Sequence, residues 1–180
     1  RDVGFGAFEA SLVHQPNAGS EPVNATIRKP EFELVLERIF DAPPEKVFKA
    51  WTDPELLKQW FVPRPWTLAS VDQDWRPGGR ANLVMRDPDG NEYPNEGVFL
   101  EIVPNRKIVT TDAFTEGWIP TGKPFMAAHV TFEELPGGKT KYVARAMHWS
   151  AESKAEHEQM GFHEGWGQTA DQLAELLRTF

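Results

Sequence analysis

The chain has 180 residues, enough for one domain with a sizeable core, and its 19 basic against 27 acidic residues leave a net charge of −8. No run of five basic residues occurs, so a cationic face for nucleic-acid backbone or anionic lipid headgroups is not expected. The absence of cysteine excludes disulfides, thiolate metal sites and thiol nucleophiles.

No window approaches the roughly 18 apolar residues of a membrane span, and no basic-then-apolar leader pattern opens the chain, which together fit the cytoplasm. The unusual feature is ring content: seven Trp and twelve Phe. Rings in that number either fill a large core or line an apolar pocket.

Residues 1–30 read as an extension and linker, with Phe5, Phe8 and Leu12 available to dock on the body and a Pro/Asn/Gly/Ser-rich stretch behind them. Residues 31–180 read as a single domain. Phe32, Leu34 and Leu36 alternate in a first strand over 32–40. The string D-A-P-P-E-K then starts a helix with Asp41 as its cap and Val47, Phe48 and Trp51 as its apolar face. A second short helix starts at T-D-P-E and buries Leu56, Leu57 and Trp60 before Pro63. Trp51 and Trp60 are expected to anchor these helices in the core.

From Thr67 to Trp149 turn pairs such as Gly78-Gly79, Asp89-Gly90, Pro104-Asn105 and Gly137-Gly138 punctuate about six strands. Met126, Ala128, Val130 and Phe132 share one face of one strand; Tyr142, Ala144, Ala146 and His148 share the inward face of the next. The two inward alanines leave space rather than fill it.

Ser150 to Phe180 reads as one long helix, capped by Ser150 or Ser153. Phe162, Trp166, Thr169, Leu173, Leu176, Leu177 and Phe180 recur at steps of three and four along one face. Gly161, Gly165 and Gly167 interrupt its first half, each at roughly 0.5–1 kcal/mol relative to alanine, which predicts a bend or a close approach there. The order of elements predicts an α+β helix-grip architecture. A curved antiparallel sheet of six or seven strands wraps a long C-terminal helix, with two short helices after the first strand and a volume enclosed between sheet and helix.

Several strings resemble a known family. F-D-A-P-P-E-K-V-F-K-A-W-T-D-P-E-L-L-K-Q-W-F at 40–61, D-W-R-P-G-G-R at 74–80, G-V-F-L-E-I-V-P-N-R-K-I-V at 97–109 and G-W-G-Q-T-A-D-Q-L-A-E-L-L at 165–177 are similar to the START-like (SRPBCC) superfamily of polyketide cyclases and lipid carriers. Within it they resemble the branch related to the C-terminal domain of the heat-shock-protein-90 ATPase activator. The resemblance implies a fold with a cavity. The eukaryotic activator carries a separate N-terminal domain for which residues 1–30 are too short.

Candidate chemistry centres on two residues. Asp112, if its strand face points inward, places a carboxylate in an apolar pocket as an acid or base; the alternative is an Asp bonding backbone amides or Thr111 at a strand end. His148 ends a strand near the pocket mouth, where it either orients a ligand and moves a proton or simply caps the junction. Phe162, His163 and Trp166 on the helix, with Phe114, Trp118 and Trp149 near the mouth, are expected to line or close the cavity. Trp75, Val130, Phe132 and Tyr142 complete the lining. His157 and His163 stand six positions apart, about 600° of helix, so a zinc site with Glu164 is not expected, nor is any other cofactor.

Three functions follow in order. The first is binding of a small hydrophobic or aromatic molecule. The second is a cyclase-, dehydratase- or hydrolase-type enzyme using Asp112 and His148. The third is a chaperone-interaction module. A homodimer and a chaperone partner are left open.

Overall fold

The computed structural model describes residues 29–180; the expected docking of Phe5, Phe8 and Leu12 lies outside the described residues. The first strand, β1 (Glu33–Phe40), alternates as its sequence does, with Leu34, Leu36 and Phe40 buried. Helices α1 (Pro44–Thr52) and α2 (Pro54–Leu57) follow. Asp41 is not the cap of α1. Pro43 holds that position without a side-chain bond, and Pro44 in the first turn supplies a backbone already set for the helix. At α2 an aspartate does cap, Asp53 accepting from the Glu55 and Leu56 amides. Trp60 anchors the pair as expected: its indole N–H donates to the Ala50 carbonyl at 2.9 Å and its ring meets Trp51 edge-on.

Nine further strands among the described residues carry the rest. After β1 come β2 (Thr67–Gln73), β3 (Ala81–Arg86), β4 (Glu92–Asn95), β5 (Val98–Val103), β6 (Lys107–Thr111), the small hairpin β7 (Phe114–Thr115) and β8 (Ile119–Pro120), β9 (Ala127–Leu135) and β10 (Lys139–Met147). They form a five-stranded antiparallel sheet in the order β1-β10-β9-β6-β5, a three-stranded wing β2-β3-β4, and the hairpin. All four residues of β4 are exposed, and its Pro94 sits opposite Val84 of β3.

Wing and main sheet meet at a seam. Arg80 bridges to Val98, the Gly78 amide donates to the Phe99 carbonyl at 2.7 Å, and the Phe99 amide donates back to Gly79 at 3.0 Å. At Gly79 the backbone comes so close to the Asp74 carbonyl that no Cβ fits. The D-W-R-P-G-G-R string is therefore a joint between two sheets.

Register puts the expected residues on the concave side. Leu36, Ala144, Val130 and Ile108 face one another across four strands, and Leu34, Ala146, Ala128 and Thr110 form the next row. Against these rows lies the C-terminal helix. The fold class is the α+β helix-grip expected, with one difference: the helix is broken. α3 (Ala151–Gln159) is capped by Ser150, and α4 (Phe162–Leu176) starts after Gly161, whose φ of 92° turns the chain. Helical periodicity continues on both sides of Gly161, which is why the sequence reads as continuous.

Helix α4 buries Phe162, Ala170, Leu173 and Leu176, and Leu177 just beyond. One polar side chain goes in with them. Gln172, 4% exposed, donates to the Trp60 and Val62 carbonyls at 3.0 and 2.8 Å and accepts from the Arg64 amide at 3.0 Å. It clamps α4 to the segment following α2. The end of the stripe departs from expectation. Phe180 is exposed beneath the Lys46 and Lys49 ammonium groups, and Lys46 also donates to the Leu177 carbonyl at 2.6 Å.

The three helix glycines separate into three roles. Gly161 makes the bend. Gly167 allows a close approach, since a Cβ there would stand 3.3 Å from Arg38 Nη2. Gly165 does neither, with open space where its Cβ would be. Gly165→Ala should therefore stabilise the protein by about 0.5–1 kcal/mol in urea unfolding; a loss of stability would reveal a contact at this position.

Candidate functional site

Past Met147, the last residue of β10, the inward face continues through one more position, His148. Its backbone N–H donates to the Phe32 carbonyl at 2.8 Å, which fixes the chain beside the start of β1. Ser150 then caps α3, and its first two turns bring His157 back over the strand end. His148 Nε2 and His157 Nδ1 lie 2.9 Å apart. Both residues are buried, at 8% and 7% exposure. One ring donates and the other accepts.

Aromatic rings enclose the pair. Phe125 stands 5.6 Å from His148 and 4.9 Å from His157, and Phe162 and Trp166 meet His157 at 5.1 and 5.8 Å. Burial in this shell pushes the His157 imidazole down to about 4, helped by the neighbouring His148. His148 is also lowered, chiefly by burial; the Phe32 carbonyl opposes this, and Lys154 adds a smaller lowering push. Among the described residues, His148 Nδ1 is buried without a hydrogen-bond partner. His148 also lines a surface groove of about 300 Å³, formed by Lys29 to Phe32 on one side and Met147, His148 and Trp149 on the other.

Asp112 contributes indirectly. Its carboxylate accepts from the Phe125 amide at 2.9 Å and the Met126 amide at 3.1 Å, while Thr111 Oγ1 donates to the Met126 carbonyl. The carboxylate holds the turn that presents the Phe125 ring to both histidines. This is the amide-bonding alternative of the sequence reading, with partners far along the chain.

The other candidates fall into separate groups. Phe162 and Trp166 join the histidine pair, 4.5 Å apart. Trp75, Phe132 and Tyr142 form a second cluster through Phe48 and Phe99, with Trp75 stacked on Phe99 at 4.3 Å and Phe132 5.8 Å from Tyr142. Val130 is buried on the same concave side. Burial raises the Tyr142 phenol far above its ordinary value. Phe114 and Trp118 make a third group on the hairpin. Trp118 adopts a left-handed backbone (φ 61°), packs over Gly78 at the seam, and meets Phe114 edge-on. Arg80 braces this hairpin by bonding both Glu116 and Asp72. Trp149 is exposed beside the groove, and His163 is exposed with Nε2 3.5 Å from Glu158.

Two residues at the centre of the site, His157 and Phe125, were not singled out for this role by the sequence. The weak signal was spacing. His148 and His157 are nine positions apart, the second lying within a capped helix that can return only one face of itself to the strand end.

The activator of Hsp90 ATPase homolog 1-like protein family model matches residues 41–178. The chain belongs to this family. Every residue of the histidine site except those of the groove's first side falls within the family match. A solved structure from Nitrosomonas europaea is 41% identical, covering 84% of this chain and 97% of that one, with a TM-score of 0.80. Structures from Mycobacterium smegmatis and Staphylococcus epidermidis, each 27% identical, superpose with TM-scores of 0.68 and 0.70. They are covered over 90% and 94% of their length and cover 81% and 86% of this chain. No functionally curated protein matches. The family therefore fixes architecture, and the ligand question rests on the chain's own residues. No helix of the described residues is long and apolar enough to cross a membrane.

Proposed function

We propose that the protein binds a small, largely apolar or aromatic molecule bearing one polar group, at the groove where His148 ends the concave face. The observation that carries this reading is the buried Nδ1 of His148, unpartnered among the described residues, beside a groove of about 300 Å³. A buried polar atom left without a bond costs about 1–3 kcal/mol, which a ligand atom placed there would offset. Phe32, Met147 and the exposed Trp149 supply apolar contact around that point, the composition expected of a small-molecule site.

Binding is favoured over acid–base catalysis because Asp112 already bonds two backbone amides and is not left free to act on a substrate with His148. Tryptophan fluorescence titrated with a panel of phenols, aromatic acids and short acyl chains tests the proposal. Trp149 should report saturable quenching, and His148→Phe should weaken the best ligand about tenfold or more. His163→Ala should leave affinity unchanged. A panel without any saturable response, or affinity indifferent to His148→Phe, counts against it.

A further inference from the structure

Helix α3 is attached to the body in an unusual way. Of its nine residues, Ala151 to Gln159, only His157 is buried. A nine-residue helix is marginal on its own in water, so its persistence depends on docking. The one buried side chain makes one hydrogen bond, to His148, and beside it only the exposed Glu158–His163 contact is a charged side-chain tie between α3 and α4 among the described residues. Both ends are breaks in helical geometry: Ser150 is extended (φ −149°, ψ 162°), and Gly161 is left-handed. The segment can move as a unit about those two points without unwinding α4 or β10.

We infer that α3 is a flap released by protonation, held on the sheet by the His148–His157 hydrogen bond and freed when the pair takes up protons. Two neutral imidazoles bond because one donates and the other accepts. A first added proton places a charge inside the shell of Phe125, Phe162 and Trp166. A second sets N–H against N–H across 2.9 Å. In the released state both rings are hydrated and neither penalty exists.

The charged groups on the surrounding elements are bonded elsewhere or exposed, Glu31 beside the groove among the exposed ones. Glu33 at the start of β1 bonds Arg145, and Asp112 bonds the Phe125 and Met126 amides. On α4, His163 faces Glu158, while Glu164 is exposed. Lys123, two residues before Phe125, is a cation, as is Lys154 on α3 itself, which opposes protonation of His148. Glu152 and Glu156 of α3 are exposed.

The direction with pH follows. A released histidine titrates near 6.5, and docked His157 near 4. Docking is thus fully present above about pH 6.5 and weakens as pH falls toward 4, by about tenfold in the docked-to-released ratio per pH unit for one proton. Because His148 also faces the groove, release would present a hydrated, charged imidazole to whatever lies there. That consequence rests on the binding proposal; the release does not.

Amide hydrogen exchange on the full chain without ligand, corrected for intrinsic rates at pH 7.5, 6 and 5, tests the release. Protection over 151–160 should fall about tenfold from pH 6 to 5 while the β9–β10 ladder keeps its protection. His157→Phe, which keeps a ring in place without a titrating group, should abolish that pH dependence. Flat wild-type protection, or an equal fall in His157→Phe, overturns the inference. Imidazole NMR titration of the wild type is an independent arm, free of any folding defect in the variant. Both rings titrating at 6.5 or above would also overturn it. Repeating the fluorescence titration at pH 7.5 and 5 separates the two readings: release with unchanged ligand affinity rejects control of the groove, and a failed ligand panel leaves the release result standing.

Discussion

Gln172→Leu is expected to destabilise the protein by about 2–5 kcal/mol although the new side chain is apolar and similar in size. The Trp60 and Val62 carbonyls and the Arg64 amide would lose their common partner. Each buried backbone group left unbonded costs about 1–3 kcal/mol, less for a carbonyl that keeps another contact. The midpoint of urea unfolding should drop with little change in slope. The nearby Arg64–Glu175 pair gives the contrast, since both side chains are 61% exposed. Glu175→Ala should cost under about 0.5 kcal/mol. A Gln172→Leu variant within 1 kcal/mol of the parent would mean that water replaces the amide and the clamp is dispensable.

Phe162→Ala should cost about 3–5 kcal/mol, the range for removing a fully buried aromatic ring. Phe162 is 1% exposed and opens α4 immediately after the Gly161 bend. Its ring packs against Trp166 at 4.5 Å and His157 at 5.1 Å, so the deletion removes a core side chain and one wall around the histidine pair together. Global unfolding should report the first effect, and exchange over 151–160 at neutral pH the second. Loss of global stability with α3 protection intact would show that the His148–His157 bond alone suffices to seat the helix.

Strand faces were legible in the sequence because their period is two and their residues are unambiguous. The Tyr142, Ala144, Ala146, His148 series faces inward as read, and Leu34 and Leu36 oppose it. Trp60 was legible as an anchor for the same local reason. Features set by a single backbone angle were not. Gly161 sits in a stretch with helical composition before and after it, and nothing in the letters distinguishes a left-handed glycine from a tolerated helical one. Asp41 looked like a cap because it precedes two prolines, yet the helix begins at Pro44, beyond the reach of that side chain. The site shows the same limit. His148 was found from its place at a strand end, whereas its partner His157 needed the angle at which α3 folds back. Phe125 needed the long-range bond from Asp112.

The exposed β4 strand bears on how copies of this chain meet. Among the described residues it is a free margin of the three-stranded wing, and Pro94 in its middle has no N–H to offer. A strand from a neighbouring molecule laid along that margin would meet a gap in the donor row beside the Glu92–Arg86 ion pair. That margin is thus self-terminating. Crowded copies in concentrated solution have no continuous template there on which to extend a ribbon.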